Sequence, residues 1–168
     1  MKINNKEEQI CIIMCTCEGA FFLEQQLGSL KKQSYKALEM LICDDNSTDE
    51  TTDILKKFSK TAPFEVKLYQ NKKRLGAVQN FSQAMSLCRG KYIALGNQDD
   101  IWLSGRLELT LQAMKEVEEK FGSQLPLLFH TDHAVIDKEG KVIAPTVIKS
   151  LKIMPPNNEL FINRELAR

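Results

Sequence analysis

The 168-residue chain has no apolar run long enough to cross a bilayer: the longest, Ile10 to Cys15, is six residues, against about 20 for a spanning helix. Met1 to Gln9 is polar and holds no apolar signal core. Both absences lead to the expectation of a soluble chain. Net charge is nearly missing too, since 23 Lys and Arg stand against 22 Asp and Glu, so no bulk positive field is available to attract nucleic acid. Zinc-site spacing is absent as well: Cys15 and Cys17 form C-x-C with no second cysteine pair and no histidine pair beside it. The five cysteines (Cys11, Cys15, Cys17, Cys43, Cys88) are odd in number, and three lie in apolar runs where thiols act as small hydrophobes. That pattern suits a reducing compartment. Neither G-x-G-x-x-G nor a glycine-rich loop ending in Lys-Ser or Lys-Thr occurs, and there is no internal repeat or low-complexity tract.

What is present alternates between two periodicities. Ile10 to Cys15 is a continuous apolar run of strand length, as a central parallel strand requires. Phe21, Phe22, Leu23, Gln26, Leu27 and Leu30 follow at helical spacing up to Lys31 and Lys32, whose charges suit a helix C-terminus. Leu38 to Cys43 predicts a second strand, and Ser47, Thr48 and Asp49 are candidate N-caps for a helix carrying Ile54, Leu55 and Phe58. Val66 to Tyr69 predicts a third strand, before a helix marked by Val78, Phe81, Ala84, Met85 and Cys88. Tyr92 to Gly96 reads as a buried fourth strand, and Ser104 to Phe121 as a long amphipathic helix stopped by Gly122. Leu125 to Thr131 predicts another strand. Asp137-Lys138-Glu139-Gly140 predicts a hairpin turn between Ala134 to Ile136 and Val142-Ile143. Strands alternating with helices predict right-handed crossovers and a largely parallel sheet in one domain.

In such a sheet ligands bind outside the carboxyl ends of the strands. The loops there carry Thr16 and Glu18, then Asp44 and Asp45, then Arg74, then Asn97 and Asp99. Asp45 can accept from a pyrimidine N–H or a ribose hydroxyl, while a hard cation on Asp99 suits phosphate oxygens. Asp99 and Asp100 serve equally well as turn residues, and that alternative stays open on spacing alone.

Four segments taken together resemble a known family. Residues 12 to 19 (Ile-Ile-Met-Cys-Thr-Cys-Glu-Gly), 41 to 51 (Leu-Ile-Cys-Asp-Asp-Asn-Ser-Thr-Asp-Glu-Thr), 75 to 81 (Leu-Gly-Ala-Val-Gln-Asn-Phe) and 90 to 102 (Gly-Lys-Tyr-Ile-Ala-Leu-Gly-Asn-Gln-Asp-Asp-Ile-Trp) resemble, in order and spacing, the family 2 glycosyltransferases. The last segment is most similar to the rhamnosyltransferase-type members. The resemblance implies a GT-A fold, an α/β Rossmann-like and mostly parallel sheet flanked by helices. It also implies a nucleoside-diphosphate sugar donor (dTDP- or UDP-linked, with rhamnose a candidate sugar), inversion at the anomeric carbon, and Mg²⁺ or Mn²⁺. Thr16, Cys17 and Glu18 match the positions beside base and ribose, Asp44 and Asp45 the nucleoside-recognising acids, and Asn97, Gln98 and Asp99 the D-x-D motif, with Asp99 the metal ligand. Arg74 is a candidate nucleotide-binding residue, standing in for the arginine frequent at position 79, and its alternative as a solvated loop charge stays open.

The departures from the family pattern are specific. Cys17 stands where an aromatic usually covers the base, Gln79 where arginine is frequent, and Asn97 where aspartate is normal. Family members continue beyond a segment like Leu160 to Leu166 into an acceptor-binding half that holds the catalytic base. The expected division is therefore a nucleotide-sugar-binding domain over residues 1 to 145 and a tail over 146 to 168, truncated at the acceptor half. No residue is assigned as base: Asp132, His130 and His133 read as polar residues at a strand end. A saccharide or lipid-linked acceptor, no nucleic acid, self-association through surface exposed by truncation, and a cytoplasmic place, with attachment to the inner face of the membrane as a variant, complete the expectations. The alternative is a nucleotide-sugar-binding or partner-binding module without catalysis. A nucleotidyltransferase would need a basic glycine-rich first loop, which Thr16 to Gly19 does not supply.

Overall fold

A computed structural model describes residues 9–147. The expected tail, with Leu160 to Leu166, therefore lies outside the described residues save for positions 146 and 147. The chain divides into two compact units, residues 1–108 and 109–168.

The first unit is built on four parallel strands, β1 (Ile10–Thr16), β2 (Glu39–Asp44), β3 (Glu65–Gln70) and β4 (Tyr92–Gly96), in the order β3-β2-β1-β4. Helices α1 (Ala20–Lys31), α2 (Thr51–Ser59) and α3 (Ala77–Ser86) connect them, and α4 (Arg106–Phe121) begins after β4. The first two crossovers step one way along the sheet and the third steps back. Right-handedness then puts α1 and α2 on one face and α3 on the other. Packing agrees: Ala84 and Phe81 of α3, with Cys88 just after it, lie against Cys11, Ile13, Leu41 and Cys43, the odd-numbered face of β1 and β2. The alternate residues Ile12, Met14, Met40 and Ile42 are equally buried, which is why both strands read as unbroken apolar runs.

Three expectations need correction. Among the described residues Tyr92 to Gly96 is an edge strand rather than a buried one, paired with β1 alone, and Ile93 and Leu95 are 43% and 44% exposed on a face that no described helix covers. Phe21 and Val78, at 75% and 84% exposure, belong to the outer faces of α1 and α3, whereas Asn80 takes the buried place beside Ala84. Leu125 to Thr131 contains no strand. A strand needs a neighbour to complete its ladder, and these residues have none among those described. In the second unit the hairpin forms as expected, β5 (Val135–Ile136) against β6 (Val142–Ala144), with Asp137 Oδ1 accepting the Glu139 and Lys141 amides.

The amino end of the sheet is held by one buried charge. Glu39 is fully buried, and its carboxylate accepts Lys67 Nζ at 2.8 Å, Arg89 Nε at 2.8 Å and the Arg89 amide at 2.9 Å. Beside it Gly90 passes so close to β1 that a Cβ there would sit 2.7 Å from Cys11 N and Gln9 O. Burial alone would push the Glu39 carboxyl up, but the Arg89 and Lys67 bonds outweigh it and hold it at about 2. Its stabilisation is therefore full above the ordinary glutamate value of 4.5 and is lost as pH falls from there towards 2. Urea denaturation across that range should show a loss of at most about 3 kcal/mol that the Glu39→Gln variant does not show.

Candidate nucleotide cleft

The strand order reverses direction between β1 and β4, and the loops that leave their carboxyl ends part there to form a crevice. A cleft of about 550 Å³ lies at this place, lined by Thr16, Cys17, Asp45, Arg74, Asn80, Phe81, Asn97, Gln98 and Asp99 among others. Loops distant in sequence therefore meet at one rim. Of the nine residues singled out from sequence, seven line the cleft, and Glu18 and Asp44 do not.

Asp44 is fully buried beneath the rim. Its Oδ1 accepts the Thr16 hydroxyl at 2.9 Å and the Ser47 hydroxyl at 2.6 Å, and its Oδ2 accepts the Ser47 amide at 3.0 Å. It fastens the β1 loop to the β2 loop. Asp45 faces the other way, towards the β3 loop. Its Oδ1 accepts Asn71 Nδ2 at 2.9 Å and the Leu75 amide at 2.7 Å, and its Oδ2 accepts the Gly76 amide at 2.8 Å. Burial would raise this carboxyl, yet the two amides, Asn71 and the Arg74 charge hold it below the usual range, so it is anionic at neutral pH. Only Oδ2 keeps room for a further donor from a ligand.

The β1 loop leaves no backbone amide free for an anion. Cys17 N–H is taken by Gln98 Oε1, Glu18 N–H by Ser47 Oγ, Gly19 N–H by Thr51 Oγ1 and Ala20 N–H by Asp49 Oδ2. The amino end of α1 thus meets internal acceptors, unlike the open helix ends of phosphate-binding loops. Ser47 and Thr48, expected as caps, serve the β1 loop instead, and α2 is begun by Asp49, whose Oδ1 accepts the Thr51 amide at 3.0 Å.

Glu18, in the left-handed region at φ 49°, turns its carboxylate to the Thr48 and Asp49 amides and pairs with Arg74. Arg74 is the cation on the cleft wall. Cys15 is pushed up to about 12 by burial, with Cys43 and Asp45 adding to it, and burial raises Cys17 against the pull of Arg74. Both thiols stay protonated at neutral pH and are not nucleophiles.

The β4 loop is held from below and from the side. Gln26, fully buried on α1, donates to Asn97 O at 2.9 Å, and Gln98 meets the Cys17 peptide. Asn97 Nδ2 donates to Asp100 Oδ2 at 3.0 Å, which leaves its side-chain oxygen available. Among the described residues no group of three His, Cys, Asp or Glu could hold a metal by itself. Asp99 with Asn97 fits a cation that takes its remaining oxygens from phosphate and water, as Mg²⁺ commonly does. Sequence reasoning passed over Asn71 and Asn80. Asn80 Nδ2 donates to Cys43 O, and its Oδ1 accepts Asn71 Nδ2, which tightens the β3 loop on Asp45. A polar residue on the apolar face of α3 was the available signal.

A helix-flanked parallel sheet with an acid-rimmed cleft at its switch point defines a Rossmann-like α/β domain with its ligand crevice in the usual place. Residues 11–121 match the model for glycosyl transferase family 2, and the chain belongs to that family. It is 28% identical over 148 residues to the UDP-Glc:alpha-D-GlcNAc-diphosphoundecaprenol beta-1,3-glucosyltransferase WfgD of Escherichia coli, covering 86% of this chain and 54% of that one. It is 35% identical over 116 residues to the enzyme WfaP of the same species and activity name, covering 69% of this chain and 45% of that one. The chain thus spans about half the length of these relatives. Two solved structures share the fold. One is Staphylococcus aureus TarS 1-349 in complex with UDP-GlcNAc, at TM-score 0.57 and 20% identity over 76% of this chain and 40% of that one. The other is the Pyrobaculum calidifontis mannosyltransferase PcManGT in complex with GDP-Man and Mn²⁺, at TM-score 0.56 and 22% identity over 64% of this chain and 31% of that one. The sheet is that of the GT-A glycosyltransferases.

Asp44 ties two loops together from inside the protein and does not touch the cleft. Asp44→Ala should therefore cost about 2–4 kcal/mol in urea denaturation by stranding its buried donors.

Proposed function

We propose that this chain is the donor-binding part of an inverting glycosyltransferase that takes a UDP- or dTDP-linked sugar and serves a saccharide or lipid-linked acceptor at the cytoplasmic side of a membrane. The observation that carries this reading is the meeting, at one cleft, of Thr16, Cys17, Asp45, Arg74, Asn97, Gln98 and Asp99 from separate loops. Asp45 faces the base or ribose through Oδ2. Arg74 takes the diphosphate, and Asp99 with Asn97 holds Mg²⁺ or Mn²⁺. Bound there, the cation neutralises charge on the leaving diphosphate. The names of two relatives favour glucose as the sugar, and the Asn97 to Trp102 segment favours rhamnose. UDP-glucose against dTDP-rhamnose in a binding panel separates them.

Calorimetry with UDP tests the reading. Mn²⁺ should tighten UDP binding to the wild type, and Asp99→Ala should lose that gain, about tenfold or more in affinity. UDP binding indifferent to both metal and Asp99 would remove the cation from this site.

A binding module without catalysis is the second reading. Asp132, read from sequence as a polar residue at a strand end and not as a base, accepts the His133 and Val147 amides. Release of UDP from UDP-glucose, measured with and without Mn²⁺, decides between slow turnover and binding alone.

The expected self-association would use the side of β4 that is exposed among the described residues. Ile93 and Leu95 share the face of Cys11 and Ile13 by register, beyond the reach of α3. We propose that this edge pairs two copies. Light scattering should show mass rising with concentration, and Leu95→Lys should return it to that of one chain.

A further inference from the structure

The parallel pairing of β1 with β4 ends at Met14 and Gly96, yet the two chains stay joined beyond it by one side chain. Gln98 Oε1 accepts the Cys17 amide at 2.9 Å, and Gln98 Nε2 donates to Cys17 O at 3.2 Å. A primary amide offers this pairing, one donor beside one acceptor, as a peptide group does. The side chain thus adds one rung to the ladder across the switch-point crevice. Gly19 makes the room. Its φ of −101° is ordinary, so no backbone strain demands glycine, but a Cβ there would lie 2.3 Å from Gln98 Oε1 and 2.7 Å from its Cδ. Directly before Gln98, the Asn97 carbonyl is held by buried Gln26, whose Oε1 in turn accepts the Ser29 hydroxyl at 3.0 Å. Ser29 Oγ also accepts the Trp102 amide at 3.0 Å, so the far end of the same loop is anchored on α1.

Asp99 stands between these anchors. Its neighbour Asn97 gives a cation no charge, so the metal set is weak and depends on placement. We infer that Gln98 is a positioning residue: its amide clasps the Cys17 peptide, ties the two walls of the cleft together and fixes where Asp99 stands, and it does not contact the nucleotide. This rests on the donor-binding reading above. Gln98 lines the cleft because it spans it. One Nε2–H and one Oε1 lone pair of this amide are given to Cys17, which sets its plane across the crevice.

The test uses the whole chain with UDP and Mn²⁺ as probes and three variants. Gln98→Met keeps length and loses both bonds, Gln98→Glu keeps the acceptor alone, and Asp99→Ala is the reference. In the free chain, exchange of the Cys17 amide read by NMR should speed up about tenfold in Gln98→Met. The factor by which Mn²⁺ tightens UDP binding should fall about tenfold in Gln98→Met, with Gln98→Glu between it and wild type. The fall in that factor should exceed any fall in UDP affinity measured without metal, a split that loss of stability alone does not produce. Gly19→Ala should reproduce Gln98→Met, and the double variant should be no worse, since both act through one contact. Two results would overturn the assignment of Gln98 alone: an unchanged Cys17 exchange rate in Gln98→Met, or loss of Cys17 protection when Mn²⁺ and UDP saturate the wild type, which would mean that Gln98 leaves for the nucleotide. Wild type that binds no UDP overturns the donor-binding reading, and the role of Gln98 with it.

Discussion

Two adjacent carboxylates at the end of β2 carry negative charge out of water, and the loops around the cleft are arranged to meet them. Asp44 is fully buried and Asp45 nearly so. A buried carboxylate is tolerable only with its lone pairs filled. Their side chains alternate along the chain, so each must be met from a different side. Asp44 draws in Thr16 and Ser47, which closes the β1 loop on the β2 loop. Asp45 draws in Asn71, Leu75 and Gly76, which closes the β3 loop on the β2 loop. The cleft is the space left between loops that two charges have gathered.

That arrangement decides what else the cleft can do. The amides of residues 17 to 20, in the β1 loop and at the first residue of α1, are given to Gln98, Ser47, Thr51 and Asp49 and are not offered to a phosphate. A protein that gives up this common anion site needs positive charge from elsewhere. Among the residues lining the cleft, Arg74 carries that charge, and on the proposed reading a cation at Asp99 would add to it. On that reading, the lack of a glycine-rich phosphate loop and the acid after β4 would go together.

Much of the fold was legible because β1 and β2 are covered on both faces, and such strands announce themselves as unbroken apolar runs. The same rule misread β4. Its residues are just as apolar, but a run of hydrophobic residues cannot tell a central strand from an edge whose cover is missing from the described residues, and only the order β3-β2-β1-β4 settles it. The amphipathic phase of α1 and α3 went astray where Phe21 and Val78, both apolar and both outward, counted as core. The acids of the cleft were visible as loop residues, yet their roles were not. Asp44 and Asp45 look alike in sequence, and what separates them is the pleat, which turns one inward and the other towards the β3 loop. Asn80 and Gln26 escaped as site residues because a buried amide is identified by its partners, and those lie 37 and 71 residues away.

On the donor-binding reading, the pair of Glu18 and Arg74 would hold the guanidinium in place until a diphosphate arrives. In this structure the guanidinium is paired with the Glu18 carboxylate, and the Thr48 and Asp49 amides hold that carboxylate in place from behind. The pair is partly exposed on both sides, so its net worth is below about 1 kcal/mol. A nucleoside diphosphate brings two charges and a planar match for guanidinium, which makes its bonds to arginine stronger than those of an exposed carboxylate pair. On that reading, giving up the pair would cost little. Glu18 is not stranded by it, because its backbone donors remain. The carboxylate thus acts as a placeholder that keeps Arg74 aimed at the rim while costing little to displace.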